Sequence, residues 1–146
     1  SVSAFLLNRS SDLAICIFCK IANGEIPSNT IYENEDFRVI LDNGPATKGH
    51  ALVLPKKHYA DLFEIPDDVL AGAVQTGKIV ASMLKDKLGC DGVNLVQNNG
   101  ATAGQTVMHY HLHVIPRYEN DGQHILWKPT SPSAEELVEI KNTIIG

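Results

Sequence analysis

Three histidines within five residues, at positions 109, 111 and 113, constrain the fold of this chain more than any other feature. Residues 109–115 read HYHLHVI, so the histidines alternate with apolar side chains. This alternation, with β-branched and aromatic neighbours, predicts a β-strand. Successive side chains of a strand point to opposite faces, so the three imidazoles share one face. The other face, which we expect to meet the core, carries Tyr110, Leu112 and Val114.

The spread of the histidines along this strand bears on their chemistry. With a rise of about 3.3 Å per residue, His109 and His113 lie about 13 Å apart, so the three rings do not all bind one metal ion. An adjacent pair could share a metal, and a solvent-facing polar strand is the plainest alternative. The row as a whole is better suited to line a substrate cleft, where each imidazole meets a different part of the ligand.

A small polar loop precedes the strand and reads NNGATAGQT over residues 98–106. Gly100 and Gly104 permit tight backbone turns, and Asn98, Gln105 and Thr106 offer neutral hydrogen-bond donors. Such a loop can hold phosphate oxygens through backbone and side-chain donors, although most loops of this composition are only turns. Directly beside three histidines, the loop points to phosphate chemistry.

Imidazole suits that chemistry because it is a nucleophile whose charge changes near neutral pH. One histidine can attack phosphorus and form a covalent phospho-imidazole that water then hydrolyses. A second histidine can protonate the leaving group, and neutral donors stabilise the charge that develops on the phosphoryl oxygens. The sequence beside the histidines holds no cluster of carboxylates that would indicate Mg²⁺.

The remaining patterns predict one α+β domain. Apolar residues recur near a period of 3.6 from Asp67 to Leu88, which predicts a long helix ending at Gly89. Because strands and helices do not alternate regularly, we expect an antiparallel sheet of about five strands around that helix. Short helices are expected at Ile17–Asn23 and, after a capping box at Ser133, as far as Ile145. The expected strands are Thr30–Tyr32, Phe37–Leu41, His50–Leu54, Val93–Gln97 and Tyr110–Ile115.

Length and composition limit the number of domains, the partners and the cellular compartment that we expect. A chain of 146 residues favours one domain; we expect residues 13–146 to form it and the aperiodic residues 1–12 to be a frayed or expression-derived extension. The net charge of −5 argues against nucleic acid or an anionic membrane as partner. No apolar run approaches the roughly 20 residues that span a bilayer. Three cysteines, an odd number, favour a reducing, cytoplasmic setting.

Several blocks of the sequence resemble the histidine triad family of nucleotide hydrolases and transferases. That family's motif is His-φ-His-φ-His-φ-φ, with φ apolar, and residues 109–115 match it with Tyr110 as the only mildly polar φ. The segment AGQTV at 103–107 and the pair Pro116-Arg117 extend the match. KGHALVLPKKH at 48–58 resembles the Gly-His-φ-φ-φ-φ-Pro block, and IFCKI with GEIP at 17–27 resembles the amino-terminal signature. The resemblance implies the family's fold and a compact homodimer with one continuous sheet.

The resemblance also implies roles for individual residues. His111 would be the nucleophile that takes the nucleotidyl group, and His113 would contact phosphate and protonate the leaving group. His109 and His50 would orient the nucleophile and tune its proton state, unless His109 is a metal ligand. The implied nucleotide contacts are Asn98, Gln105 and Thr106 for the α-phosphate, Asp42 for the ribose hydroxyls, and Phe18, Ile21 and Ile40 for the base. A purely structural place in the hydrophobic core explains Phe18, Ile21 and Ile40 nearly as well. The alternative for Asp42 is that it only forms a turn.

The pair Cys16 and Cys19 has the Cys-x-x-Cys spacing of half a zinc site. A redox role for this pair is not favoured, because the surrounding sequence has no thioredoxin-like βαβ pattern. In bacterial-type members of the family and in related galactose-1-phosphate uridylyltransferases, a histidine after a Pro-Lys-Lys-type turn and the first triad histidine complete the metal site. The matching residues here are His58 and His109, which gives a structural Cys₂His₂ zinc set; the alternative is two metal-free thiols. Cys90 is expected to be an inert buried thiol.

The activity implied is that of a nucleotidyl hydrolase acting through His111 on purine nucleotide conjugates such as adenosine phosphoramidates, with no organic cofactor. A dinucleoside polyphosphate hydrolase is an alternative, favoured by residues 103–107 and Pro116-Arg117. A nucleotide-binding interaction module without turnover is another, and we would expect it to lack the middle histidine. The tail at 119–132, with His124 and Trp127, matches the family poorly, so it does not indicate the substrate.

Overall fold

The computed structural model describes residues 16–146, which form one antiparallel sheet of five strands with three helices. The spatial order of the strands is β1-β2-β3-β5-β4. This is the α+β architecture that the sequence predicts. The expected extension at residues 1–12 lies outside the described residues. In chain order the elements are α1 Ile17–Ala22, β1 Thr30–Glu33, β2 Phe37–Leu41, β3 Ala51–Pro55, α2 Asp67–Leu88, β4 Gly92–Val96, β5 Leu112–Arg117 and α3 Ala134–Ile145, with a 3₁₀ turn at Ala101–Ala103.

The two faces of the sheet carry separate apolar clusters because side chains alternate along each strand. On β2, Val39 belongs to the large cluster under α2, whereas its neighbour Ile40 belongs to the small cluster under α1. The large cluster includes all three residues that alternate with the histidines, namely Tyr110, Leu112 and Val114. The expectation that these three face the core is therefore confirmed.

The long helix α2 has the bounds that the periodicity predicts. Asp67 and Asp68 lie in its first turn, where negative charge is favoured, and Gly89 ends it in the left-handed conformation at φ 65°. Gly49 lies close to the C-terminal end of α2. Its φ is 94°, and a Cβ at this position would lie 2.5 Å from Cδ1 of Leu88. Glycine at position 49 thus lets the chain pass closely beneath α2 on its way into β3.

The histidine strand begins later than the alternation predicts. The sequence analysis places a strand at Tyr110–Ile115, whereas β5 runs from Leu112 to Arg117. The amide of Tyr110 donates to the carbonyl of Tyr59, 2.6 Å away, so it is not part of the sheet ladder. His109 and His111 therefore lie in the approach to the strand, and only His113 lies within it.

Among the described residues, no helix is long and apolar enough to cross a membrane.

Candidate active site and metal centre

His50, His111 and His113 meet where β3 and β5 lie side by side. His50 directly precedes β3 and His113 lies on β5, which pair through Leu52 and His113. Nε2 of His50 lies 2.9 Å from Nδ1 of His113. The ring of His111 lies 5.0 Å from that of His113, centroid to centroid. The fold thus brings together residues 63 positions apart in the sequence.

A backbone carbonyl fixes the tautomer of His111. Its Nδ1 lies 2.7 Å from the carbonyl oxygen of His109, which can only accept a hydrogen bond. Nδ1 therefore carries the proton in the neutral ring, and the lone pair is on Nε2. Nε2 makes no hydrogen bond with any described residue, so it has the electronic form of a nucleophile. The ring of Phe18 packs edge-on against the ring of His111, with the two centroids 5.0 Å apart.

A backbone amide fixes the tautomer of His50, and through it that of His113. The N–H of Ala46 donates to Nδ1 of His50 over 2.9 Å, so the proton of the neutral His50 ring is on Nε2. Nε2 then donates to Nδ1 of His113, which leaves the proton of His113 on its own Nε2. His113 therefore presents a donor where His111 presents a lone pair. The two rings have opposite tautomers, as a nucleophile and a proton donor require.

Burial favours the neutral form of these rings. It is the largest cause lowering the pKa of His50, His111 and His113. For His113, the neighbouring rings of His111 and His50 lower the pKa further, to about 4. Asp42 acts in the opposite direction, because Oδ2 of this carboxylate lies 3.5 Å from Nε2 of His50.

Cys16, Cys19, His58 and His109 form a second cluster, whose four ligand atoms all lie within 4.8 Å of one another. Sγ of Cys16 and Sγ of Cys19 lie 3.4 and 3.3 Å from Nδ1 of His109. Sγ of Cys19 lies 3.1 Å from Nδ1 of His58. Tetrahedral zinc places its sulfur and nitrogen ligands about 3.3–3.8 Å from one another. The cluster therefore has nearly the dimensions of a Cys₂His₂ site.

The tautomer of His109 supports the same interpretation. Its Nε2 lies 2.9 Å from the carbonyl of Pro55 and must donate to it, which leaves the lone pair on Nδ1, the atom that faces the cysteines. Burial raises the pKa of the Cys19 thiol to about 12, and contact with Cys16 adds to this rise. A cation in the cluster would reverse that rise and hold the sulfur as thiolate. The residues present fit a zinc ion.

Asp42, His50 and His113 also lie close enough to suggest a metal site, but their hydrogen bonds disfavour one. The lone pair of His50 Nδ1 accepts from Ala46, so its Nε2, the atom facing the other two residues, carries the proton. A metal there would need both nitrogens of His50 as lone-pair donors, which a neutral imidazole does not have. This group is better described as part of the hydrogen-bonded histidine network.

The predicted phosphate-binding residues differ in how much of their side chain is available. The side chains of Asn98 and Thr106 make no hydrogen bond with any described residue. Asn98 follows β4 by two residues, just beyond the last pair of its ladder with β5, Val96 with His113. Gln105, in contrast, is buried: its Nε2 donates to the carbonyls of Ala60 and Val107, and its Oε1 accepts from Gly100. Its side chain therefore holds the loop in shape.

The predicted base-binding residues occupy two environments. Ile21 and Ile40 lie in the small cluster under α1, and both are buried. Phe18 is only partly buried and reaches both clusters of the site, because its ring contacts His109 as well as His111. Asp42 follows β2, where its Oδ1 accepts from the amide of Gly44 and its Oδ2 faces His50. Phe18 and Asp42 are the members of this set beside the histidines.

Sequence reasoning missed the backbone groups that set the tautomers. These are the amide of Ala46 and the carbonyls of Pro55 and His109. It expects His50 to orient the nucleophile His111, and in the structure Nε2 of His50 lies 2.9 Å from Nδ1 of His113. Every residue has the same backbone groups, so no sequence signal marks these three.

The fold agrees with the comparisons to known proteins. The family model for the HIT domain matches residues 23–120. A crystal structure of a HIT family member from Bacillus subtilis superposes with a TM-score of 0.83 at 40% identity and covers 90% of this chain and 95% of its own. The chain belongs to the HIT family, and the resemblance to the histidine triad proteins is confirmed.

Two further relatives are informative. An adenosine 5'-monophosphoramidase of Saccharomyces cerevisiae is 38% identical over 134 residues, which cover 91% of this chain and 82% of that protein. A zinc-bound histidine triad family protein from Mycobacterium smegmatis superposes with a TM-score of 0.72 at 38% identity, covering 89% of this chain and 98% of its own. The family relationship thus supports a hydrolase with a nucleotide ligand.

Proposed function

We propose that this protein hydrolyses purine nucleoside 5'-phosphoramidates and related conjugates through a covalent nucleotidyl intermediate on His111. The observation that carries the proposal is the pair of opposite tautomers, a lone pair on Nε2 of His111 and a proton on Nε2 of His113. The similarity to the yeast monophosphoramidase favours this substrate class.

In the first step, Nε2 of His111 attacks the α-phosphorus, and a nitrogen–phosphorus bond forms while the bond to the leaving group breaks. The anionic phosphate of the bound substrate favours the protonated form of His113, which transfers its Nε2 proton to the departing amine or oxygen and becomes neutral. The carbonyl of His109 continues to hold Nδ1–H of His111, so the ring keeps its orientation and positive charge on it is stabilised. Asn98 and Thr106, whose side-chain donors are not otherwise engaged, would contact the phosphoryl oxygens.

In the second step, water attacks the same phosphorus and the bond to His111 breaks. His113, which has lost its Nε2 proton, accepts one from the attacking water, so the enzyme returns to its starting state. His50 stays in contact with Nδ1 of His113 in both steps, which prevents that ring from rotating. Phe18 would cover one side of the nucleotide, and Asp42 would bind the ribose hydroxyls.

A paired assay tests the substrate class. Wild-type protein is given an adenosine phosphoramidate and a diadenosine polyphosphate, and kcat/KM is measured for each. We expect the phosphoramidate to be the better substrate by about tenfold or more, because its small leaving group needs no second nucleotide subsite. A preference for the polyphosphate would favour the dinucleoside polyphosphate hydrolase instead, and no turnover of either would favour a binding module.

His113→Ala is expected to impair turnover in proportion to the basicity of the leaving group. With an alkylamine leaving group, we expect kcat to fall about 10²–10⁴-fold, because general-acid catalysis contributes this much. With a p-nitrophenolate leaving group, which departs without a proton, we expect less than about a tenfold loss. Equal losses on both substrates would contradict the assignment of His113 as the acid.

The proposed zinc ion would be held by Cys16, Cys19, His58 and His109. When bound, it supplies a rigid tetrahedral link between α1, the turn after β3 and the residue that precedes the nucleophile by two positions. Its proposed role is structural, because the set gives the metal four protein ligands and no open position.

We propose further that the protein is a homodimer joined along β4. This strand forms one edge of the sheet among the described residues, so one row of its backbone groups lacks a strand partner. Next to that edge, Val74 of α2 and the β4 residues Val93 and Leu95 form an exposed apolar surface, here called the β4 shelf. Pairing two β4 strands would cover both shelves and produce one continuous sheet.

Leu95→Glu is expected to convert the dimer to a monomer, because it places a charge at the centre of the buried contact. Ile17→Glu is the matched control, since Ile17 is 48% exposed and Leu95 47%. Sedimentation equilibrium measures both masses. A Leu95→Glu protein that sediments as a dimer, like the control, would show that the subunits do not meet at the β4 shelf.

A further inference from the structure

The loop between β2 and β3 carries the amide that fixes the tautomer of His50. Residues 43–49 of this loop contain no helix or strand, and Ala46 lies in the middle of them. The amide of Ala46 donates to Nδ1 of His50 over 2.9 Å. In an irregular loop the position of a backbone amide depends on individual hydrogen bonds, because no regular ladder holds it. The contacts that hold this loop therefore also decide which nitrogen of His50 carries the proton.

Three hydrogen bonds join this loop to the end of β5 and the turn that follows it. They run from the hydroxyl of Thr47 to the carbonyl of Pro116, from the hydroxyl of Tyr118 to the carbonyl of Lys48, and from Nε2 of Gln123 to the carbonyl of Ala46. The last two measure 2.7 and 2.9 Å. Both of their donors belong to residues 118–123, which we call the clamp turn. The clamp turn thus holds the loop on either side of Thr47.

One carboxylate, that of Asp121, collects the donors of the clamp turn and makes it rigid. It accepts from Nε and Nη2 of Arg117 at 2.8 and 3.0 Å. It also accepts from the amides of Tyr118 and Gln123, each at 3.0 Å. The Arg117 guanidinium and then these two amides hold the pKa of the carboxyl well below its usual range, so it stays charged at neutral pH. The same guanidinium donates to the carbonyl of Gln123 over 2.7 Å, which fixes this exposed residue relative to β5.

A continuous path of contacts leads from the clamp turn to the proposed acid. Gln123 holds the carbonyl of Ala46, and the amide of Ala46 occupies the lone pair of His50 Nδ1. Nε2 of His50 in turn lies 2.9 Å from Nδ1 of His113. If the Ala46 amide moved away, Nδ1 of His50 could carry the proton itself, and Nε2 would lose it. The resting proton of His113 would then no longer be confined to its Nε2.

We propose that Gln123 and Tyr118 are positioning residues that fix the tautomer of His50 and, through it, the proton of His113. They act through the backbone of residues 43–49 and touch neither the substrate nor the reacting atoms. The expected effect on turnover rests on the proposed function, whereas the effect on the tautomer of His50 does not. The start of the poorly matched tail thus supports proton transfer whatever the substrate is.

Two substitutions remove the donors of the clamp turn with little change of shape. Gln123→Met keeps the length of the side chain without its amide, and Tyr118→Phe removes only a hydroxyl. The matched controls are His124→Ala, which shortens the exposed neighbour of Gln123, and Tyr32→Phe, whose lost hydroxyl makes no hydrogen bond with a described residue. The unfolding temperatures of all four variants are expected to stay within about 5 °C of wild type, because one hydrogen bond contributes little to stability.

The first measurement is the rate at which the leaving group is released in the first turnover of an adenosine 5'-phosphate conjugate. With an alkylamine leaving group, Gln123→Met and Tyr118→Phe are each expected to slow release about three- to tenfold, the factor that one neutral hydrogen bond contributes. With p-nitrophenolate, which departs without a proton, the loss is expected to stay within about twofold. The controls are expected to match wild type on both substrates. Equal losses on both substrates would indicate a merely structural role and overturn the proposal.

The second measurement requires no turnover. In protein with isotopically labelled histidine, the nitrogen resonances of His50 and His113 report which ring nitrogen carries the proton. The spectra are recorded at about pH 8, where both rings are neutral because burial lowers their pKa. Wild type is expected to show an unprotonated Nδ1 on His50 and a protonated Nε2 on His113. The double variant Gln123→Met/Tyr118→Phe is expected to shift both resonances toward the opposite tautomer.

The two measurements separate a failure of this proposal from a failure of the proposed function. Unchanged histidine resonances in the double variant would overturn the positioning role, whatever the activity. Shifted resonances in the double variant, together with a wild-type protein that hydrolyses neither substrate, would reject the hydrolytic function and uphold the control of the His50 tautomer by the clamp turn.

Discussion

His111→Ala is expected to lower kcat/KM for an adenosine phosphoramidate by about 10⁴-fold or more, the scale found when a covalent nucleophile is removed. The carbonyl of His109 fixes the proton of His111 on Nδ1 and leaves the Nε2 lone pair without a hydrogen-bond partner among the described residues. His113 presents a proton on the corresponding atom, so neither it nor His50 can replace the missing lone pair without a change of tautomer.

The matched control is His124→Ala, which removes an exposed histidine of the tail and is expected to leave kcat/KM unchanged. A second measurement identifies the intermediate. Wild-type protein quenched with acid during turnover is expected to carry one nucleotidyl group on the peptide that contains His111, and the alanine variant none. An alanine variant with wild-type turnover, or a label on another histidine, would show that the covalent mechanism through His111 is wrong.

Cys16→Ser is expected to remove zinc from the protein and to destabilise the fold strongly. In zinc-finger peptides, structural zinc contributes about 10–16 kcal/mol of apparent binding free energy at neutral pH. A typical domain has only about 5–15 kcal/mol of total stability, so losing even part of that contribution lowers the unfolding temperature markedly. Activity is expected to fall as well, because His109 would be both a zinc ligand and the residue whose carbonyl orients His111.

Cys90→Ser provides the control, since Cys90 is also buried and free but lies outside the cluster. Elemental analysis of the purified proteins is expected to give about one zinc per chain for wild type and Cys90→Ser and less than about a tenth for Cys16→Ser. Thermal unfolding with and without a chelator then measures the stability that the metal contributes. Equal zinc contents in all three proteins, or none in the wild type, would rule out the Cys₂His₂ assignment.

The extent to which the sequence predicted the fold depended on whether the determining pattern was local. The bounds of α2 were predictable to the residue, because helical periodicity, the acidic first turn and Gly89 all lie within the segment. The start of β5 was not, because Tyr110 gives its amide to Tyr59, a residue 51 positions earlier. Alternation still identified the core face correctly, since that depends only on the direction of successive side chains.

The same division applies to the site. The sequence by itself determined the family and the parts from which the candidate site is built. These parts are the three histidines of the motif, the two cysteines of Cys-x-x-Cys, and the loop at 98–106. Only the tertiary structure decided which nitrogen of each histidine carries a proton, and that Gln105 braces the loop. These outcomes depend on single hydrogen bonds to the amide of Ala46 and the carbonyls of Pro55 and His109. Pro55 lies 54 positions from the ring it meets and reaches it through the packing of the fold, whereas Ala46 and the carbonyl of His109 lie four and two positions from theirs, and the local path of the chain decides those two contacts. A motif specifies imidazoles, but the backbone around them specifies their lone pairs.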